Sequence, residues 1–137
     1  ETAQVGNRPN FYYTGVSMVD INQDGWLDIY LCKSSMQNED YRRNELYINN
    51  RDGTFTEKAQ VYGLDDAGYG HQAYFSDIDL DGDIDMFVLN QPFYRRFQDQ
   101  RKTNTRLEQK KERGAYYIKC ASFTFFIIKK VNDINKI

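Results

Sequence analysis

Apolar positions along the chain come in short runs set between clusters of Asp, Asn and Gly. Val16-Ser-Met-Val19 and Ile29-Tyr-Leu-Cys32 flank one such cluster, and Ala73-Tyr-Phe75 and Met86-Phe-Val-Leu89 flank another. Runs this short, rich in β-branched and aromatic residues and bounded by turn residues, predict buried strands. The first strand covers 11–19, with Gly15 permitting a kink or a close approach, and the second covers 29–33. The polar stretch 34–43 predicts a surface connection. Asn44-Glu-Leu-Tyr-Ile-Asn-Asn50, Arg51-Asp52-Gly53 and Thr54-Phe-Thr-Glu57 then read strand, Asp-Gly turn, strand, which is a hairpin signature. Residues 58–63 predict a short helical turn ended by Gly63. Residues 1–10, polar with Pro9, predict an incoming loop.

The two turn clusters are copies of one another. Asp20-Ile-Asn22-Gln-Asp24-Gly25-Trp26-Leu-Asp28 and Asp77-Ile-Asp79-Leu-Asp81-Gly82-Asp83-Ile-Asp85 are offset by 57 residues. Both place oxygen side chains at loop positions one, three, five and nine. A hard cation such as Ca²⁺ takes six to eight oxygens, and alternate residues of a tightly curled loop aim carboxylates at one centre. Position seven can add its backbone carbonyl. Glycine at position six permits the positive φ that such a loop needs. Asp, Asn and Gly are also ordinary turn formers, but two copies with one acid spacing argue for calcium. Without a cation the second loop would crowd four carboxylates together, which costs energy or forces protonation. Neither loop holds His or Cys, which argues against zinc. Nor are these EF-hands: position twelve, a bidentate Glu there, is Leu31 in one copy and Val88 in the other. Each loop instead reads as the connection of a β-hairpin.

Internal periods near this length argue for propellers or similar arrays. One unit supplies four strands, two flanking the loop and two in the Asp-Gly hairpin, which is the content of one propeller blade. The expected fold class is therefore all-β, built of four-stranded antiparallel blades.

Composition sharpens this picture. The 137 residues suit one domain or a piece of a larger one, and eleven Tyr and nine Phe suit packed sheets. The formal net charge of −2 hides an asymmetry: residues 1–92 carry 16 acidic and 6 basic side chains, and residues 93–137 carry 4 and 12. Bound calcium would cancel much of the acidic excess, which is therefore not a surface for basic partners. Cys32, in an apolar strand, reads as a buried thiol, with a bridge to Cys120 as the alternative. No apolar run approaches the roughly 20 residues of a membrane span. The chain opens Glu1-Thr-Ala-Gln without a signal peptide and reads as starting inside a domain, any secretion signal being removed or lying elsewhere.

These residues carry a resemblance. The sequence resembles the FG-GAP/VCBS-type repeat family, whose blades form the propeller of integrin α chains. It is most similar to the branch of secreted bacterial proteins and cartilage acidic protein, in which Asn-Glu-Leu-Tyr-Ile-Asn-Asn-x-Asp-Gly-Thr-Phe follows the calcium loop. The resemblance covers about residues 11–92: blade one spans about 11–59 and blade two starts near 69. It implies about two blades of a seven-bladed β-propeller with Ca²⁺ in the hairpin loops. By position it implies the ligands Asp20, Asn22, Asp24, the Trp26 carbonyl and Asp28 in the first blade. In the second they are Asp77, Asp79, Asp81, the Asp83 carbonyl and Asp85. Leu89-Asn-Gln-Pro92 echoes the end of the family motif, whereas Leu31-Cys-Lys-Ser34 and the degenerate Phe-Gly do not.

The last third fits less closely. Residues 93–113 are mostly basic and read as an insertion or linker, a solvated helix or loop on the rim rather than a nucleic-acid patch. Within 114–137, Tyr116-Tyr-Ile-Lys and Thr124-Phe125 line up with Leu46-Tyr-Ile-Asn and Thr54-Phe55. They are expected as degenerate outer strands of blade two or as a divergent tail.

The functional expectation is a non-enzymatic, secreted or cell-surface module with two structural calcium ions, mediating adhesion through an extracellular protein or carbohydrate ligand. Further blades, in a fuller chain or another copy, are the other expected partners. The alternative is a propeller part of an extracellular polysaccharide lyase or phospholipase-like enzyme, since related calcium-bearing propellers occur in such enzymes. No Ser-His-Asp order, phosphate loop or Cys-His pairing stands out. His71, the one histidine, reads as structural.

Overall fold

The computed structural model describes residues 12–34, 38–78 and 80–90, and the backbone of 108–112, 115–120 and 123–128. Along β1 (Tyr13–Val19) half-buried and exposed residues alternate until Val19, as expected of a strand with one covered face. β2 (Asp28–Lys33) is buried along nearly its whole length. It lies between β1 and β3 (Glu45–Asn49), and β4 (Phe55–Glu57) completes an antiparallel sheet in the order β1-β2-β3-β4. The β3–β4 connection is the expected Asp-Gly turn. Asn50 N–H donates to Thr54 O (3.0 Å), Arg51 and Gly53 take positive φ, and Asp52 Oδ1 accepts from the Thr54 backbone and hydroxyl.

The 34–43 stretch departs from a plain surface connection. It holds one helical turn, α1 (Glu39–Arg42), capped by the Asn38 side chain. Arg42 is buried because its Nε donates to Ala67 O (3.0 Å) and its guanidinium stacks over Tyr69. The helical turn expected at 58–63 is present: Tyr62 N–H reaches Lys58 O, and Gly63 adopts φ 65°.

The second sheet starts with β5 (Gly70–Ser76) and β6 (Asp85–Asn90). Three more strands follow: β7 (Glu108–Glu112), β8 (Ala115–Cys120) and β9 (Phe123–Ile128). Their order is β5-β6-β9-β8-β7. The alignment with the first blade would place 116–119 beside β6, yet the neighbour of β6 is β9, with Val88 opposite Phe126 and Leu89 opposite Phe125. Composition explains the difference. The apolar Phe-Thr-Phe-Phe-Ile-Ile segment takes a position hydrogen-bonded on both sides, and the charged Glu-Gln-Lys-Lys-Glu segment takes the edge, where charge discourages further pairing. Part of the 93–113 segment is thus strand, and 93–107 lies outside the described residues.

The two sheets stack over one core, in which Val19, Tyr30, Cys32, Leu46 and Ile48 meet Ala73, Met86 and Val88. Tyr30 meets Phe75 edge to face at 5.5 Å. Thr14 Oγ1 donates to Gly70 O (2.6 Å) and Ser17 Oγ to Ala73 O, stitching β1 to β5. Gly15 is needed here, because a Cβ would collide with His71 O and the Gln72 side chain. Both sequence readings of this glycine hold, since the β1–β2 register also shifts beside it.

Several repeat-equivalent apolar residues differ in burial, the more buried member of each pair being the one that meets this joint. Ile21 is 0% exposed and its equivalent Ile78 52%; Leu27 is 51% exposed while its equivalent Ile84 packs on the core. Val16 and Met18 are 59% and 61% exposed, yet their equivalents Ala73 and Phe75 lie in the joint. Each sheet therefore has one face of each kind, and the stack buries one of each.

Polar groups inside this stack are paired apart from Asn90 Oδ1, the buried side-chain atom without a partner among the described residues. Tyr30 OH donates to Leu64 O (2.8 Å) and accepts from Asn44 Nδ2 (3.0 Å), while Asn44 Oδ1 accepts from Lys33 N–H (2.9 Å). Lys33 Nζ meets Glu45 Oε1 at 2.8 Å, and Tyr47 and Tyr13 donate to Glu45 Oε2. Such satisfaction is what makes buried polar atoms tolerable.

Candidate functional site

Each loop closes on its first carboxylate. Asp20 Oδ1 and Oδ2 accept from the N–H groups of Asp24 (2.9 Å) and Gly25 (2.7 Å). Asp77 does the same for Asp81 (3.1 Å) and Gly82 (2.9 Å). Position five then accepts from position seven, Trp26 N–H to Asp24 Oδ1 (2.9 Å) and Asp83 N–H to Asp81 Oδ1 (3.2 Å). Position nine accepts from position two, Ile21 N–H to Asp28 Oδ2 (3.1 Å) and Ile78 N–H to Asp85 Oδ2 (3.0 Å). The backbone matches too. Position four is left-handed in both copies, Gln23 at φ 56° and Leu80 at φ 59°, and Gly25 and Gly82 at position six have φ 87° and 92°. The loops lie side by side, since Gln23 Nε2 donates to Gly82 O (3.2 Å).

Asp28 and Asp85 differ from the rest in being fully buried. Asp28 Oδ1 also accepts from Asn49 N–H (2.8 Å), so this carboxylate ties the loop to β3. Burial pushes its pKa up, opposed by the hydrogen bonds from Asn49 and Ile21. Asn22 is engaged locally: its Oδ1 accepts from Asp24 N–H (3.2 Å) and its Nδ2 donates to Asp24 Oδ2 (3.1 Å). Asp79 lies outside the described residues.

The sequence reading missed Arg51. From the β3–β4 turn its Nη2 reaches Asp24 Oδ2 at 2.9 Å, and this contact holds the Asp24 carboxyl below its usual range. The signal was the hairpin itself, because pairing β3 with β2 brings the Asp-Gly turn over the first loop.

In chemistry the donors fit a hard cation: they are oxygens only, and a carboxylate oxygen that accepts one N–H keeps a second acceptor site. A guanidinium already stands as counter-charge at Asp24. In direction the side chains serve the backbone, and among the described residues no three His, Cys, Asp or Glu side chains converge in a metal-holding group. Asp20, Asn22, Asp24 and Asp28, and Asp77, Asp81 and Asp85 opposite them, are the residues that could turn to hold calcium.

Other candidate groups lie outside the two loops. His71 is exposed on β5. Cys32 is a buried free thiol whose pKa burial pushes up to about 12, so it is protonated and poorly nucleophilic; the side chain of Cys120 lies outside the described residues. A polar cleft of about 520 Å³ has Lys33 and Glu45 in its lining, already paired with each other. No helix among the described residues is long and apolar enough to cross a membrane.

Residues 20–88, half of the chain, match the model of the FG-GAP-like repeat, a stretch that begins at Asp20 and takes in both loops. No curated protein and no solved structure matches the chain.

Proposed function

Because the chain belongs to the FG-GAP-like repeat family, we propose that it is a calcium-binding β-propeller module of a secreted or cell-surface protein. Calcium is structural there, and the module serves adhesion through an extracellular protein or carbohydrate. The observation that carries this reading is the duplicated loop: the same four hydrogen bonds and the same two left-handed residues, one repeat apart. A mere turn needs only local Asx bonding; it has no need of a buried carboxylate at position nine in both copies.

Asp20, Asn22, Asp24, the Trp26 carbonyl and Asp28 would hold one ion, and Asp77, Asp79, Asp81, the Asp83 carbonyl and Asp85 the other. Bound calcium supplies positive charge that offsets the mutual repulsion of the carboxylates. Because the folded chain gathers these groups and the unfolded chain scatters them, binding adds stability, about 2.7 kcal/mol per site at a free calcium concentration about 100 times Kd. Such a gain favours an extracellular setting, where calcium is abundant.

The exposed face of the first sheet supports the wider propeller reading. Val16, Met18 and Leu27 are exposed there, whereas their repeat equivalents are packed in the joint. A further repeat, from a fuller chain or another copy, would cover that face as the second sheet covers the opposite one, and successive sheets would build towards a seven-bladed ring.

The test is thermal unfolding with calcium titrated against a chelator, on the parent chain and on Asp24→Ala/Asp81→Ala. A midpoint that rises with calcium in the parent and loses most of that rise in the double variant is expected. A folded parent whose midpoint ignores millimolar calcium would overturn the reading.

A further inference from the structure

We propose that Arg51 is a built-in competitor for the cation at the first loop, holding Asp24 while calcium is scarce and yielding it when calcium binds. The inference rests on the calcium reading above and adds to it a residue that sets the affinity of one loop.

Asn49 delivers Arg51 to the loop. Its Oδ1 accepts from Arg51 N–H (2.8 Å), its own N–H donates to Asp28 Oδ1 (2.8 Å), and its Nδ2 donates to Leu27 O (3.2 Å). The turn is thereby tied to the loop's last two residues, and Arg51 takes a left-handed backbone, φ 66°. From there Nη2 lies 2.9 Å from Asp24 Oδ2, which also accepts from Asn22 Nδ2 at 3.1 Å. An ionised carboxylate oxygen offers about two acceptor sites, so both sites of Oδ2 are filled. The other oxygen, Oδ1, accepts from Trp26 N–H. A calcium ion that recruits Asp24 through Oδ2 must displace one of these donors.

The guanidinium is the one that can leave. The Arg51 side chain is 55% exposed and that of Asp24 17%, so the pair sits at the rim, where ion pairs are weak and reversible. Its retained positive charge also opposes an arriving dication. The competition therefore tunes affinity without abolishing it, by about two- to fivefold given the usual strength of exposed pairs. When calcium is scarce the same contact neutralises one carboxylate of the loop, which keeps it folded and ready to bind.

Trp26, the single tryptophan, occupies position seven of this loop and makes the test site-specific. Terbium luminescence excited through Trp26, followed by calcium displacement, reads the first loop in the parent chain and in Arg51→Gln, Arg51→Ala and Arg51→Lys. Both neutral variants should bind calcium about two- to fivefold more tightly, and Arg51→Lys should stay close to the parent. Unchanged or weaker binding in the neutral variants, with a clear parent signal, would overturn the role of Arg51 and leave the calcium reading standing. A folded parent that gives no Trp26-sensitised signal at saturating terbium would overturn both.

Discussion

Asp66 joins distant parts of the chain through one carboxylate: Oδ2 accepts from Gly68 N–H (3.1 Å) and from Asn90 Nδ2 (2.9 Å), and its backbone carbonyl accepts from Asn44 N–H (2.9 Å). Burial raises its pKa more than these bonds and the nearby Arg42 lower it. A carboxyl whose folded pKa is raised favours folding below its ordinary value of about 3.9. That contribution is lost as pH rises through the raised value, since the folded state must then bury a charge. Asp66→Asn keeps an acceptor oxygen and removes the charge. Thermal melts across that pH window should show a higher midpoint at neutral pH for the variant and a flatter fall on leaving acid. Equal slopes in parent and variant would contradict this. Nothing in the sequence marked Asp66 out from the loop around it, because its partner Asn90 stands 24 residues away. Arg42 escaped notice likewise, since a basic residue in a polar stretch reads as surface until Tyr69 is folded against it.

The strands and the Asp-Gly hairpin were legible because local signals specify them, namely alternation, β-branched runs and turn chemistry. The pairing of β9 with β6 was not. Which distant strand joins an open edge depends on the relative apolarity of several candidates, and repeat alignment pointed to the wrong member of the β8–β9 hairpin. Gly15 shows how closely the sheets approach. Gly15→Ala should cost about 1–3 kcal/mol, the usual penalty of overpacking a tight contact, because the new methyl meets the backbone at His71 as well as a side chain. Denaturant unfolding checks this, and a variant as stable as the parent would show that the sheets can part without loss. Gly25→Ala makes a contrast, because its Cβ would meet nothing within 4 Å, leaving only the strain of φ 87°.

Across the whole molecule the 57-residue repeat is the organising fact. It places two loops side by side at one end of the stacked sheets, and it leaves Val16, Met18 and Leu27 exposed where their equivalents are covered. The loop positions were readable from acid spacing alone, but the division of labour within them was not. Asp28 and Asp85 are buried struts to the backbone, and Arg51 answers Asp24, because both relations depend on tertiary neighbours. The most direct test of the central claim is calorimetric titration of the folded chain with calcium, alongside Asp24→Ala and Asp81→Ala. Two ions per chain are expected, with one lost on each substitution. A folded chain that takes up no calcium, or whose uptake ignores both substitutions, would contradict it.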